Sequence, residues 1–68
     1  MDSTQPDPIM RLFAYEHLSA RLQEVSKPFA DFVQKIILDL PPNPERTACI
    51  QKLLEAKNAA LRAKLYEL

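Results

Sequence analysis

The sequence predicts an all-α fold, in which a short N-terminal helix precedes an antiparallel helical hairpin that assembles into a homo-oligomeric helical bundle. The first observation is a stripe of apolar residues at three- and four-residue spacing, which is typical of one helix face. The second is the pair Pro41 and Pro42, which disfavours helix in the preceding residue. The third is Asn43-Pro44-Glu45, where a good N-cap precedes a proline and an acid suited to a first helical turn.

The N-terminal part of the chain contains only a short helical segment. Residues 1–6 are polar, so we expect a flexible tail, with residues 7–68 forming a single helical domain. Asp7 can cap a helix from about Pro8 to Ala14, whose apolar residues are Ile9, Leu12 and Phe13. So short a helix is stable only when it docks on the longer ones.

The main helix is predicted from about Leu18 or Ser19 to Leu40. Its stripe continues in phase through Pro28, so we expect one helix kinked near that proline rather than two helices. Ile37 and Leu38 lie outside the stripe and indicate a second buried face. The stripe consists of Leu18, Leu22, Val25, Phe29, Phe32, Val33, Ile36 and Leu40.

The last helix is predicted from Pro44 to about Tyr66, antiparallel to the main helix because the connector is short. It carries two adjacent apolar stripes that together span about 200°, whereas one partner helix covers about 100°. We therefore expect these helices to form the centre of a homo-oligomer. One stripe is Ile50, Leu54, Leu61, Leu65 and Leu68, and the other is Cys49, Leu53, Ala56, Ala60 and Ala63.

Composition excludes several classes of function. Nine basic and nine acidic residues cancel, which argues against binding a nucleic-acid polymer. One cysteine and one histidine are too few for an intrachain disulfide or an ordinary zinc site, so we expect no metal. The absence of glycine excludes phosphate loops and dinucleotide fingerprints, and we expect no cofactor.

The remaining patterns concern location and catalysis. No run of about 18 apolar residues could span a membrane, and no signal pattern opens the chain, so we expect a cytoplasmic protein. Cys49 and His17 are the one nucleophile-and-base pair, but Cys49 falls in the alanine-rich stripe, where a thiol is not activated. The sequence therefore predicts a protein that is not an enzyme and has no catalytic residue.

Basic residues on the last helix are candidates for binding an anion. Arg46, Lys57 and Lys64 project at nearly the same angle, between its two apolar stripes. They can extend to solvent, pair with acids such as Glu24 or Asp31, or face an anionic ligand where subunits meet. Arg46 also lies in the first helical turn, where free backbone N–H groups favour a phosphate.

Three further candidates lie around the joint and the proline. Tyr15 and His17 occupy the joint between the first two helices, and Lys27 precedes Pro28. A tyrosine can stack on a base and a lysine can bind a phosphate. The same residues are also compatible with an aromatic at the core edge, a structural histidine and a solvated lysine.

Three segments resemble a family of small bacteriophage proteins, the anti-CBASS cyclic-oligonucleotide sponges. The segments are Phe13-Ala14-Tyr15-Glu16-His17-Leu18, Asn43-Pro44-Glu45-Arg46-Thr47, and Leu53-Leu54-Glu55-Ala56-Lys57 with Arg62-Ala63. The resemblance implies a compact hexamer that binds cyclic di- and trinucleotides between subunits without cleaving them. It would act in the cytoplasm of the infected bacterium, where it would deprive a nucleotide-activated defence effector of its signal.

The resemblance also implies a site. The family's dinucleotide pocket uses a tyrosine and a lysine, which Tyr15 and Lys27 match best, although Phe13 can hold the aromatic position instead. Arg46, Lys57 and Arg62 are possible phosphate partners, and Arg62, on the polar face, would act on a neighbouring subunit. One alternative is a structural or protein-binding helical module. Another is a helical accessory protein of transcription or replication, although the neutral net charge argues against direct DNA binding.

Overall fold

The computed structural model describes residues 8–66, and within them the chain is helical with no β-strand. A 3₁₀ helix, Pro8–Phe13, is followed by two α-helices, α1 over Ala20–Asp39 and α2 over Pro44–Leu65. The all-helical prediction is thus confirmed for this part of the chain. The predicted tail, the Asp7 cap and Leu68 lie outside the described residues.

The first helix differs in type from the predicted one. It ends at Phe13 as a 3₁₀ helix, and the Ala14 N–H donates to the Arg11 carbonyl at 3.2 Å, a three-residue spacing. Nucleating an α-helix is costly, and six residues form too few hydrogen bonds of four-residue spacing to offset that cost. A tighter 3₁₀ segment is therefore expected at this length. The chain then turns at residues 16–18 before α1 begins.

α1 is a single helix that runs through Pro28, as the phase of the apolar stripe predicts. It begins at Ala20, one residue after Ser19, whose carbonyl accepts from the Gln23 N–H at 2.8 Å. At its other end the Leu40 N–H donates to the Ile36 carbonyl at 3.0 Å, and Pro41 follows. The helix therefore ends where the two prolines predict it.

α2 begins as its local sequence predicts. The Asn43 side chain accepts a hydrogen bond from the Arg46 backbone N–H at 2.8 Å, and Pro44 occupies the first helical position. This bond satisfies one of the N–H groups that a helix start leaves without a partner. The helix ends at Leu65, and the Tyr66 N–H donates to the Arg62 carbonyl at 3.1 Å.

A small core joins the three helices. Its buried apolar side chains are Phe13 from the 3₁₀ helix, Val33 and Ile36 from α1, and Ile50 from α2. Partly buried apolar residues surround them, and these are Ile9, Met10, Phe29, Ala30, Ile37, Leu53 and Leu54. α1 packs mainly against α2, and the 3₁₀ helix contacts both.

Part of the predicted apolar face is exposed in the isolated chain. Phe32 and Leu40 belong to the predicted stripe of α1 but remain exposed, since one neighbouring helix covers only about a 100° arc. The second buried face expected at Ile37 and Leu38 is half correct, because Ile37 packs on the core whereas Leu38 is 84% exposed. On α2, the alanine-rich stripe is likewise largely exposed, notably at Cys49, Ala56 and Ala63.

Two polar residues are buried, and the sequence predicted neither burial. Ser26 is completely enclosed, and its Oγ has no hydrogen-bond partner among the described residues. Lys57 is 7% exposed.

None of the helices within residues 8–66 combines the length and the apolarity that crossing a membrane requires.

Candidate functional site

A cavity of about 220 Å³ lies where the 3₁₀ helix and the joint meet α1. Tyr15, the aromatic residue that the resemblance places in a nucleotide site, lines it. The Tyr15 backbone N–H donates to the Glu16 carboxylate at 3.1 Å, which orders the joint. The lining residues are Met10, Phe13, Ala14, Tyr15, Glu16, Ala30, Asp31 and Gln34. Both candidates for the aromatic position, Tyr15 and Phe13, therefore face one space.

Lys27 adjoins this cavity through an ion pair. Its Nζ lies 3.2 Å from Oδ2 of Asp31, one helical turn further along α1, and both side chains are more than half exposed. The hydrogen bond to Asp31, the charge of Asp31 and then the proximity of Tyr15 raise the pKa of Lys27. The lysine is therefore cationic at neutral pH.

Two carboxylates, Glu16 and Asp31, contribute to the cavity wall, and the sequence had not placed them there. From the sequence, Asp31 is predicted as a possible partner for basic residues of the last helix. Its spacing of four residues from Lys27 is the signal that predicts their pairing. Ionised carboxylates accept hydrogen bonds and repel phosphate, so the cavity suits a ring with N–H donors while a phosphate would lie outside, at Lys27.

Two of the other basic candidates, Lys57 and Arg46, bind carbonyls near the C-terminal ends of helices, and so does Arg21. The Lys57 ammonium donates to the Leu12 carbonyl near the end of the 3₁₀ helix. Arg46 Nη1 donates to the Ile37 and Leu40 carbonyls at the end of α1, at 3.3 and 3.1 Å. Arg21 Nη2 donates to the Lys64 carbonyl at the end of α2, at 2.7 Å.

These three contacts take the place of the glycine that commonly ends a helix, which this sequence lacks. Helices commonly end in a glycine with positive φ, which lets the last carbonyls find backbone partners. This sequence contains no glycine, and no described residue has a positive φ. A cation from another helix instead satisfies carbonyls at the negative end of each dipole. Each cation also ties two elements of the chain together.

Lys57 is the most enclosed of these cations. Its Nζ lies 5.7 Å from the centroid of the Phe13 ring, within the range of a cation–π contact. Burial lowers the pKa of Lys57 from its ordinary value. The sequence predicts solvent, an acid or a ligand as the partner of Lys57, whereas the structure gives a backbone carbonyl. Only the tertiary contact with the 3₁₀ helix reveals this role.

His17 and Arg62 lie outside the cavity lining. His17 is exposed in the turn before α1, and Arg62 is exposed on α2, as its position on the polar face predicts. Of the six candidate residues, Tyr15 alone lines the cavity, and Lys27 is linked to it through Asp31.

A second cavity, of about 270 Å³, lies between the end of α1 and the beginning of α2. Its wall is mostly apolar, with an ion pair between Lys35 and Asp39 at 2.6 Å, and that hydrogen bond raises the pKa of Lys35. The Cys49 thiol is free and exposed. The lining residues are Phe32, Lys35, Ile36, Asp39, Leu40 and Cys49.

The described residues contain no group of three histidine, cysteine or acidic side chains that could hold a metal ion. No protein-family model, curated protein or solved structure matches this chain.

Proposed function

We propose that this protein sequesters cyclic di- and trinucleotides without cleaving them, as a homo-oligomeric sponge that counters CBASS immunity in the cytoplasm of an infected bacterium. The observation that supports the proposal is that Tyr15 lines a cavity together with Asp31, the residue with which Lys27 forms an ion pair. Tyr15 and Lys27 are twelve positions apart in the sequence, and their pairing is the one that the resemblance implies.

The two residues supply complementary interactions in this proposal. The Tyr15 ring stacks on one base, a contact worth about 1–3 kcal/mol per base. The Lys27 ammonium leaves Asp31 and binds the neighbouring phosphate through a charge-assisted hydrogen bond. Since Glu16 and Asp31 make the cavity unfavourable to an anion, the base enters it and the phosphate remains at its edge.

The proposed assembly is a hexamer of antiparallel hairpins. The hydrogen bond from Arg21 to Lys64 supports the hairpin because it joins the beginning of α1 to the end of α2. The bonds from Arg46 do the same at the opposite ends. Exposed apolar side chains, which a lone chain leaves in water, support association, and these are Leu12, Phe32, Leu38, Leu40, Leu65 and Tyr66.

The alternative is a structural or protein-binding helical module without a small ligand. The second cavity favours it, because its apolar wall beside Phe32 and Leu40 could accept a side chain of another polypeptide. This reading needs no role for Tyr15 or Lys27 beyond packing and solvation.

Calorimetric titration with cyclic di- and trinucleotides tests the proposal, with chromatography of the recovered ligand to establish that it is intact. We expect Tyr15→Ala and Lys27→Ala to weaken dinucleotide binding and to leave the oligomer mass unchanged.

Lys35→Ala is the matched control for Lys27→Ala, since Lys35 has the same spacing to an acid on the same helix. An equal loss in the control, or no heat from a folded wild-type oligomer, would favour the protein-binding module. Loss of assembly in both site variants would mean that Tyr15 and Lys27 are structural.

A further inference from the structure

Lys57 is held in an environment that lysine rarely occupies. Its side chain is 7% exposed, and its ammonium donates to a backbone carbonyl rather than to a carboxylate. Lysine is almost never fully buried unless it is paired, because removing a charge from water is costly. The cost of removing the Lys57 ammonium from water must therefore be offset by the structure that its hydrogen bond stabilises.

The carbonyl that Lys57 binds belongs to Leu12, at the end of the 3₁₀ helix. Carbonyls at a helix end have no partner within the helix, and a lysine can satisfy them. The adjacent Phe13 is 1% exposed, and its ring contacts the same ammonium. One side chain of α2 therefore holds both the backbone and the ring at this point.

The chain that follows this contact forms the wall of the candidate site. Phe13, Ala14 and Tyr15 all line the cavity beside α1. The 3₁₀ helix is too short to be stable alone, so its placement depends on contacts with α1 and α2. A displacement at Leu12 would move Tyr15, three residues further on, relative to Lys27.

We propose that Lys57 is a positioning residue, which does not touch the ligand but holds residues 12–15 so that Tyr15 lines the cavity with Asp31, the ion-pair partner of Lys27. This inference rests on the proposed nucleotide site and replaces the direct phosphate contact that the resemblance implied for Lys57. Packing alone does not require a lysine, since an apolar residue of similar length would fill the same space. Holding a carbonyl requires an N–H donor.

The experiment compares Lys57→Met with Lys52→Met, a control at an exposed lysine of the same helix. A Tyr66→Phe background makes Tyr15 the only tyrosine, in a chain without tryptophan, so that acrylamide quenching reports the exposure of Tyr15. Cyclic di-AMP and cyclic GMP-AMP serve as probes in calorimetry, and light scattering gives the oligomer mass.

We expect Lys57→Met to keep the helix content and oligomer mass of the parent and to show stronger quenching of Tyr15 before any ligand is added. It should bind the cyclic dinucleotides about tenfold more weakly, which is the scale of one lost stacking contact. Lys52→Met should match the parent. Weaker binding with unchanged quenching would overturn the proposal, because Lys57 would then contact the ligand directly. Unchanged binding and quenching would also overturn it.

A second measurement needs no folded variant. In the lysine-labelled wild-type protein, the Lys57 ammonium resonance should remain in place when the dinucleotide is added, while that of Lys27 shifts. A shift of both would assign Lys57 to the ligand and refute positioning. If the wild-type protein binds neither dinucleotide, the proposed function fails, and the quenching comparison still decides whether Lys57 places Tyr15.

Discussion

Lys27 and Asp31 form an ion pair at 3.2 Å beside the cavity that Tyr15 lines. In the proposed site this carboxylate competes with a ligand phosphate for the same ammonium. The pair is exposed, and exposed pairs contribute little to stability, so its removal should affect binding rather than folding.

Asp31→Asn should therefore bind cyclic dinucleotides several times more tightly than the wild-type protein, because Lys27 is released and a negative charge leaves the cavity wall. Calorimetry at fixed ionic strength measures the change, and Asp39→Asn, which releases Lys35, is the matched control. Weaker binding by Asp31→Asn would mean that the carboxylate itself contacts the ligand.

Arg46 donates two hydrogen bonds to the end of α1 and so has a structural role whether or not it meets a phosphate. Arg46→Met should lower the free energy of unfolding by about 1–3 kcal/mol, since hydrogen bonds to charged groups contribute on this scale. Arg62→Met, at an exposed position, should change it by less than about 0.5 kcal/mol. Urea denaturation at one protein concentration measures both. Equal stability of the two variants would contradict this assignment.

The hydroxyl of Ser26 is buried without a partner. Ser26→Ala should raise the free energy of unfolding by about 1 kcal/mol. The buried hydroxyl has lost its hydrogen bonds to water and forms none with the described residues in their place, so its removal relieves that cost. Thermal and urea denaturation would show the increase. A loss of stability would mean instead that a neighbouring subunit or a water molecule bonds this hydroxyl in the assembled protein.

The two α-helices begin differently. Asn43 accepts a capping hydrogen bond at 2.8 Å, whereas the Ser19 side chain makes none. Asn43→Ala should therefore cost about 1 kcal/mol of stability, and Ser19→Ala distinctly less. Denaturation of the two variants side by side tests the difference, and a larger cost at Ser19 would contradict the observed cap geometry.

Burial of Lys57 makes stability depend on pH in a defined direction. Its folded pKa is lowered below the 10.5 of the unfolded chain, so between these two values the unfolded state binds more protons. The free energy of unfolding should then rise as the pH increases through this window, and the rise should be absent in Lys57→Met.

The exposed lysines do not interfere with this test. Lys27 and Lys35 have raised pKa values, so their contributions are present below pH 10.5 and are lost only as the pH rises through those raised values. Urea titrations between pH 7 and 10.5 therefore isolate Lys57. Parallel curves for the wild-type and variant proteins would contradict the burial of a charged ammonium.

Local sequence predicted the elements because their signals act over a few residues. Asn43 and Pro44 specify the beginning of α2, and Pro41 follows the residue that ends α1. The apolar stripe correctly placed Val33 and Ile36 in the core and carried α1 through Pro28. The pairing of Tyr15 with Lys27 stays a prediction from a family resemblance, because the structure shows only that Tyr15 and Asp31, the partner of Lys27, line one cavity.

The sequence by itself determined where helices begin and end and which residues could lie inwards, since caps, prolines and periodicity are local properties of the chain. The tertiary structure alone decided that Lys57 binds the Leu12 carbonyl, that Ser26 is enclosed and that Asp31 borders the cavity. The physical reason is that these outcomes depend on which elements approach one another and how closely. A helical projection gives the angle of a side chain and not the partner that it meets.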